Sequence, residues 1–178
     1  MNAFKITVLT IMATFLWSCQ SEPTLQKYFV ENSESSDFIV VDLATNMLKI
    51  NPDELSEPEK EAFQSLKKLN ILAFKNKDSL EGNYALEKEK ITTILKDEKY
   101  EQLMKVGSGK DGATIYSVGK EDAIDEFVIY GNSKEFGFAV VRILGNAMKP
   151  EHLMTLIGVL KKADIPIDQL KPLEALLK

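Results

Sequence analysis

The feature that most constrains the fold lies after residue 100, where apolar residues stop recurring at helical spacing and begin to alternate. Residues 102–106, 113–118, 124–130 and 136–144 each read as a strand with side chains on two faces. Asp111-Gly112, Gly119-Lys120 and Gly131-Asn132 supply turn residues between them. Connectors this short join only antiparallel neighbours, because a parallel crossover needs a far longer segment. A four-strand meander is the expected C-terminal frame.

Upstream, the pattern is mixed. Residues 38–43 are rich in β-branched side chains and read as a strand, with a short helix over 44–50 that Asn51-Pro52 ends. Ser56-Glu57-Pro58-Glu59 is a capping-box pattern with proline in the first turn, so 57–68 reads as an amphipathic helix. Residues 70–75 are apolar on both alternating faces, as a central strand would be. Leu80, Tyr84, Ile91 and Leu95 form the stripe of a helix over 79–97. After the meander, 150–162 reads as a helix, and Leu170, Leu173, Leu176 and Leu177 mark a final short one. The order β-α-α-β-α-β-β-β-β-α-α predicts an α+β fold, with a mixed, mostly antiparallel sheet and helices packed mainly on one face.

The N-terminus sets the address. Lys5 precedes an apolar run from Ile6 to Trp17, then Ser18-Cys19. A positive start, a dozen apolar residues and a small residue at the break make a secretory signal, too short for a membrane span of roughly 20 residues. Leu16-Trp17-Ser18-Cys19 is similar to a bacterial lipobox, in which the cysteine receives a diacylglycerol before cleavage. An ordinary signal peptide or a short buried helix would explain the apolar run, but not a lone cysteine directly after the small residue. The expected organisation is 1–18 as signal peptide, 19–36 as lipidated Cys19 and tether, and 37–178 as a single α+β domain. Leu25, Tyr28 and Phe29 share one face of a short helix inside the tether. Cleavage leaves roughly 160 residues, enough to bury about 68–70% of the unfolded surface without disulfides. Gln20 follows Cys19 where an inner-membrane lipoprotein of enterobacteria would carry Asp. The expected location is therefore the cell envelope, lipid-anchored in the outer membrane and facing the periplasm.

The lipobox, Leu25-Gln26-Lys27-Tyr28-Phe29, the stretch 38–48, and the runs 127–130 and 138–146 together resemble a family of small lipoproteins common in Bacteroidota, domain-of-unknown-function family 4252. The resemblance implies an envelope lipoprotein; it implies no activity, substrate or catalytic residue.

The chemistry read from the residues is sparse. The formal net charge is −5, with Arg142 the single arginine, so there is no basic patch for nucleic acid. His152 is the only histidine and reads as an exposed residue in the first turn of a helix. With Cys19 acylated, the usual zinc sets are missing, and no acidic loop has EF-hand spacing; no metal and no cofactor is expected. The stretch 107–112 is rich in glycine, but Ala113-Thr114 follow where a phosphate loop needs Lys-Ser/Thr and a helix. Arg142 shares a strand face with Phe136 and Phe138, beside Tyr130 on the neighbouring strand. It reads either as an anion clamp or as a strand-rim arginine paired with an acid, its stem covering apolar surface. In both readings Tyr130, Phe136, Phe138 and Arg142 mark the expected binding face. The expected role is a non-enzymatic module that binds another envelope protein, with a small-ligand carrier or sensor as the alternative and a hydrolase third. Oligomeric state is open at this level.

Overall fold

The computed structural model describes residues 22–75, 81–107 and 111–162. Helix α1 (Leu25–Glu31) leads into strand β1 (Phe38–Ala44); short 3-10 turns at Thr45–Met47 and Pro52–Glu54 precede helix α2 (Glu57–Ser65). Strand β2 (Leu66–Lys75) and helix α3 (Glu81–Ile94) follow, then the meander β3 (Glu101–Gly107), β4 (Gly112–Lys120), β5 (Ala123–Ser133) and β6 (Gly137–Met148), and helix α4 (His152–Lys162). The six strands form one sheet in the order β1-β2-β6-β5-β4-β3, every pair antiparallel. The α+β class and the C-terminal meander are as expected from the alternating pattern.

Local chemistry accounts for the helix starts. The Thr24 hydroxyl accepts the Lys27 N–H at 3.2 Å. Glu59 Oε2 accepts the Ser56 N–H at 2.9 Å, the half of the capping box that reaches back across the first turn. Several boundaries differ from the sequence reading. Residues 66–68, read as the end of a helix, open β2 instead, because there the chain pairs with β1 on one side and β6 on the other. The stretch after β1 makes a single 3-10 turn in place of a helix. Gly119-Lys120 and Gly131-Asn132 are not turns: both pairs sit in the β4–β5 ladder, and the chain reverses at Glu121-Asp122 and at 134–136. Gly119 has φ +119°, beside a register shift that only a residue without a side chain takes easily.

Helices lie on both faces of the sheet, not mainly on one. α1 and α3 bring Leu25, Tyr28, Phe29, Ile91 and Ile94 onto Leu72, Phe74, Val128, Tyr130, Phe138 and Val140. α2 and α4 bring Ala62, Leu153 and Leu156 onto Leu43, Leu69, Phe127 and Ile143 of the other face. The first core is aromatic: Phe74 and Phe138 stack with centroids 5.4 Å apart, and Phe38 stands edge-on to Phe74 at 5.1 Å. The reading of 19–36 as tether is corrected here. Leu25, Tyr28 and Phe29 are buried in this core, so the packed unit begins at α1 and not at residue 37.

Candidate functional site

On the α1 face, a polar row interrupts the apolar sheet. Asp42, Asn70 and Arg142 are direct register partners across β1, β2 and β6. Arg142 is buried and held at three points: Nε donates to Glu126 Oε1 at 2.6 Å, Nη2 to Glu126 Oε2 at 3.0 Å, and Nη1 to Gln26 Oε1 of α1 at 2.7 Å. Its guanidinium also lies over the Phe29 ring, 5.4 Å from the centroid. Asn70 donates its amide N–H to Asp42 Oδ1, while the other arm of that amide, Oδ1, is buried with no partner. Gln26, Phe29, Asp42, Asn70 and Arg142 line a cavity of about 220 Å³ between α1 and the sheet. Arginine donors and a free carbonyl acceptor there suit a small molecule bearing both hydrogen-bond donors and acceptors.

The expected binding face is thus not a surface. Tyr130, Phe138 and Arg142 are all buried beneath α1 and α3, and of the four only Phe136, 60% exposed, faces solvent. Arg142 takes the second of its two readings, paired with an acid, though inside the fold and not at the rim. Cys19 lies outside the described residues. Gln26, Asp42, Asn70 and Glu126 were missed. The signal for Asp42 and Asn70 was there, a polar side chain at an alternating position within an apolar strand. Only the register shows that they share a row with Arg142.

His152 is also placed differently: it is buried. Its Nδ1 accepts the Lys149 N–H at 3.3 Å and lies 3.2 Å from Ser65 Oγ, with Glu61 3.8 Å from Nε2. Ser65, His152 and Glu61 therefore gather, but the Ser65 hydroxyl donates to the Ala62 carbonyl at 2.6 Å. The histidine closes the start of α4 against the end of α2, a capping role.

The opposite face carries a different feature. Val41, Ile71, Val141, Ile129, Ile115 and Met104 form a single register row across all six strands. The neighbouring row beneath α2 and α4, with Leu43, Leu69, Ile143 and Phe127, is buried. In the aliphatic row, burial gives way: Ile71, Val141, Ile129 and Ile115 are half-buried, and Met104 is exposed. One row further, Ala139, Gly131 and Ala113 are also half-buried, and a methyl placed on Gly131 would meet nothing within 4 Å. A groove of about 480 Å³, bordered by Ala139 and Gly131 with Phe136 among its lining residues, lies at this end. Among the described residues, helices thus roof one part of this sheet face, while the apolar strip from Ile71 to Ile115 is only partly covered and ends in the exposed Met104.

No curated protein and no solved structure matches the chain. The family described as Domain of unknown function (DUF4252) matches residues 28–156, from the middle of α1 to the middle of α4. That span takes in the whole sheet, most of both cores and the polar row of Asp42, Asn70 and Arg142 with Glu126, though not Gln26, and it covers well over half the sequence; the chain belongs to that family.

Proposed function

We propose that this protein is a lipoprotein of the cell envelope, anchored through Cys19 in the outer membrane on its periplasmic side, and that it works as a non-enzymatic protein-interaction module. The lipobox supports the anchor. Five residues lie between Cys19 and Leu25, and the six steps from one to the other span at most about 20 Å, so the buried α1 would hold the domain close to the bilayer. The observation that carries the interaction reading is the aliphatic row that is only partly covered at Ile71, Val141, Ile129 and Ile115 and exposed at Met104, since a contiguous apolar patch of this kind is uncommon on a surface with no partner.

Two measurements test it. Intact-mass analysis of protein from its native membrane is expected to find chain beginning at Cys19 with acyl adducts; chain that retains residues 1–18 would remove the anchor. Pull-down from solubilised envelopes with wild type and Ile129→Asp is expected to lose partners in the variant while its circular dichroism is unchanged. Identical partner lists would remove the interaction surface.

The cavity beside Asn70 favours a second reading, a small polar ligand held between α1 and the sheet. Native mass spectrometry of the lipid-free protein would show a retained adduct that disappears in Asn70→Leu.

A further inference from the structure

We infer that the end of the sheet beneath α3 holds a binding site for a small phosphate-type oxyanion, built from Lys88, Lys105, Thr114 and Tyr130. It lies apart from the aliphatic face and from the cavity beside Asn70, and goes beyond both readings above.

The sheet supplies the floor. Lys105, Thr114 and Tyr130 are direct register partners across β3, β4 and β5, so a second polar row crosses the α3 face at the end away from Asp42. Cross-strand partners stand about 5 Å apart, close enough for one small ligand above Thr114 to reach both neighbours. Helix α3 supplies the roof. Lys88 and Thr92, one turn apart on the same helix face, line a cavity of about 170 Å³ together with Lys105, Thr114, Tyr116 and Tyr130. Thr114 and Tyr130 are buried, Lys88 is half-buried and Lys105 is exposed, so hydroxyl-bearing residues lie deep and the lysines lie toward solvent.

Two observations point to an anion. The Tyr130 hydroxyl has no hydrogen-bond partner although the residue is only 5% exposed. Burial first, then the neighbouring Tyr84 and Tyr116, pushes that phenol above its ordinary 10.0, so at neutral pH it keeps its proton and offers a donor. A buried donor without an acceptor leaves its desolvation uncompensated, and a ligand oxygen would offset it. The second observation is charge. Among the described residues that line the cavity, two are lysines and none is a carboxylate, in a chain whose 27 acids outnumber its 22 lysines and arginine. Lysine is a compact point charge, which suits a tetrahedral oxyanion better than the planar two-point pairing that arginine gives. Size narrows the ligand further. A cavity of 170 Å³ is smaller than the roughly 300 Å³ at which sites for drug-sized molecules begin, so it takes a single phosphate group, and anything attached to that group extends through the mouth.

The test is a titration of sodium phosphate into the full-length protein, held in nonionic detergent and phosphate-free buffer. Saturable shifts are expected at the amide resonances of Lys105, Thr114 and Tyr130, with none from sodium chloride at matched ionic strength. Shifts that never saturate, or that chloride reproduces, would overturn the site. Tyr130→Phe removes one hydroxyl and Lys105→Met one exposed charge, and each is expected to weaken phosphate about tenfold, with Lys49→Met, outside the cavity, unchanged. Undiminished affinity in Tyr130→Phe would reduce the site to surface attraction and overturn it. Should that variant not fold, undiminished affinity in Lys105→Met overturns the site equally, because that exposed side chain belongs to neither core. Glycerol 3-phosphate separates the sources: binding as tight as that of phosphate assigns the site to the terminal phosphate of a larger molecule, and no binding assigns it to the free ion.

Discussion

Arg142 and Glu126, on adjacent strands β6 and β5, meet in a two-point ion pair whose side chains are 7% and 12% exposed. Gln26 completes the shell from α1, so the pair also fixes that helix to the sheet. Removing one partner strands a charge inside the fold. Glu126→Ala is expected to cost about 3–5 kcal/mol, and Arg142→Met combined with Glu126→Leu less than that single change, because the double variant buries no charge. Urea denaturation of the three variants checks this; a double variant as unstable as Glu126→Ala would contradict it.

Phe138 behaves as core. It is buried, stacked on Phe74, and within 6.3 Å of the Phe38, Tyr84 and Tyr130 ring centroids. Phe138→Ala is expected to destabilise by about 3–5 kcal/mol, with Phe136→Ala near neutral because that ring stands in solvent. Thermal unfolding of the pair separates the two neighbours in sequence by their place in space.

Stability should fall in alkali. Burial pushes the phenols of Tyr28, Tyr84, Tyr100 and Tyr130 above their ordinary 10.0, and the Glu87 carboxylate accepting from Tyr28 Oη at 2.6 Å adds to the rise there. The folded chain then keeps protons that the unfolded chain releases. Their contribution is complete below pH 10 and is lost as pH rises through the raised values. Denaturation midpoints measured upward from pH 9 should drop steeply, less so in Tyr28→Phe.

Acid acts through a different group. Hydrogen bonds from Lys162, and then from the Ser56 backbone and hydroxyl, lower the Glu59 carboxyl from 4.5 to about 2. A depressed carboxylate stabilises above its unfolded value, and that contribution is lost as pH falls from 4.5 through about 2. Glu59→Gln is expected to flatten this part of the pH–stability curve. An unchanged acid limb would mean that Lys162 does not hold the end of α4 in solution.

Much of the fold was legible in the chain itself. Period-two alternation in the meander is a local property, and short connectors leave antiparallel pairing as the only outcome. The capping box at Ser56 and Glu59 likewise acts within one turn. Turn residues were less trustworthy: Gly131-Asn132 has turn chemistry, yet cross-strand pairing with β4 and β6 keeps it in a ladder. The candidate site was half legible. Arg142 stood out as the single arginine, and its pairing with an acid was one of two readings.

Most element types, the alternation and the presence of Arg142 in an apolar strand follow from the chain read locally. Which rows those residues join and which face each helix covers follow from packing alone. The reason is that register and layering are set by contacts between segments far apart in the chain, such as Gln26 with Arg142 and Asn70 with Asp42. Alternation splits a strand into two faces; helices docking from elsewhere make one of them core and leave part of the other open.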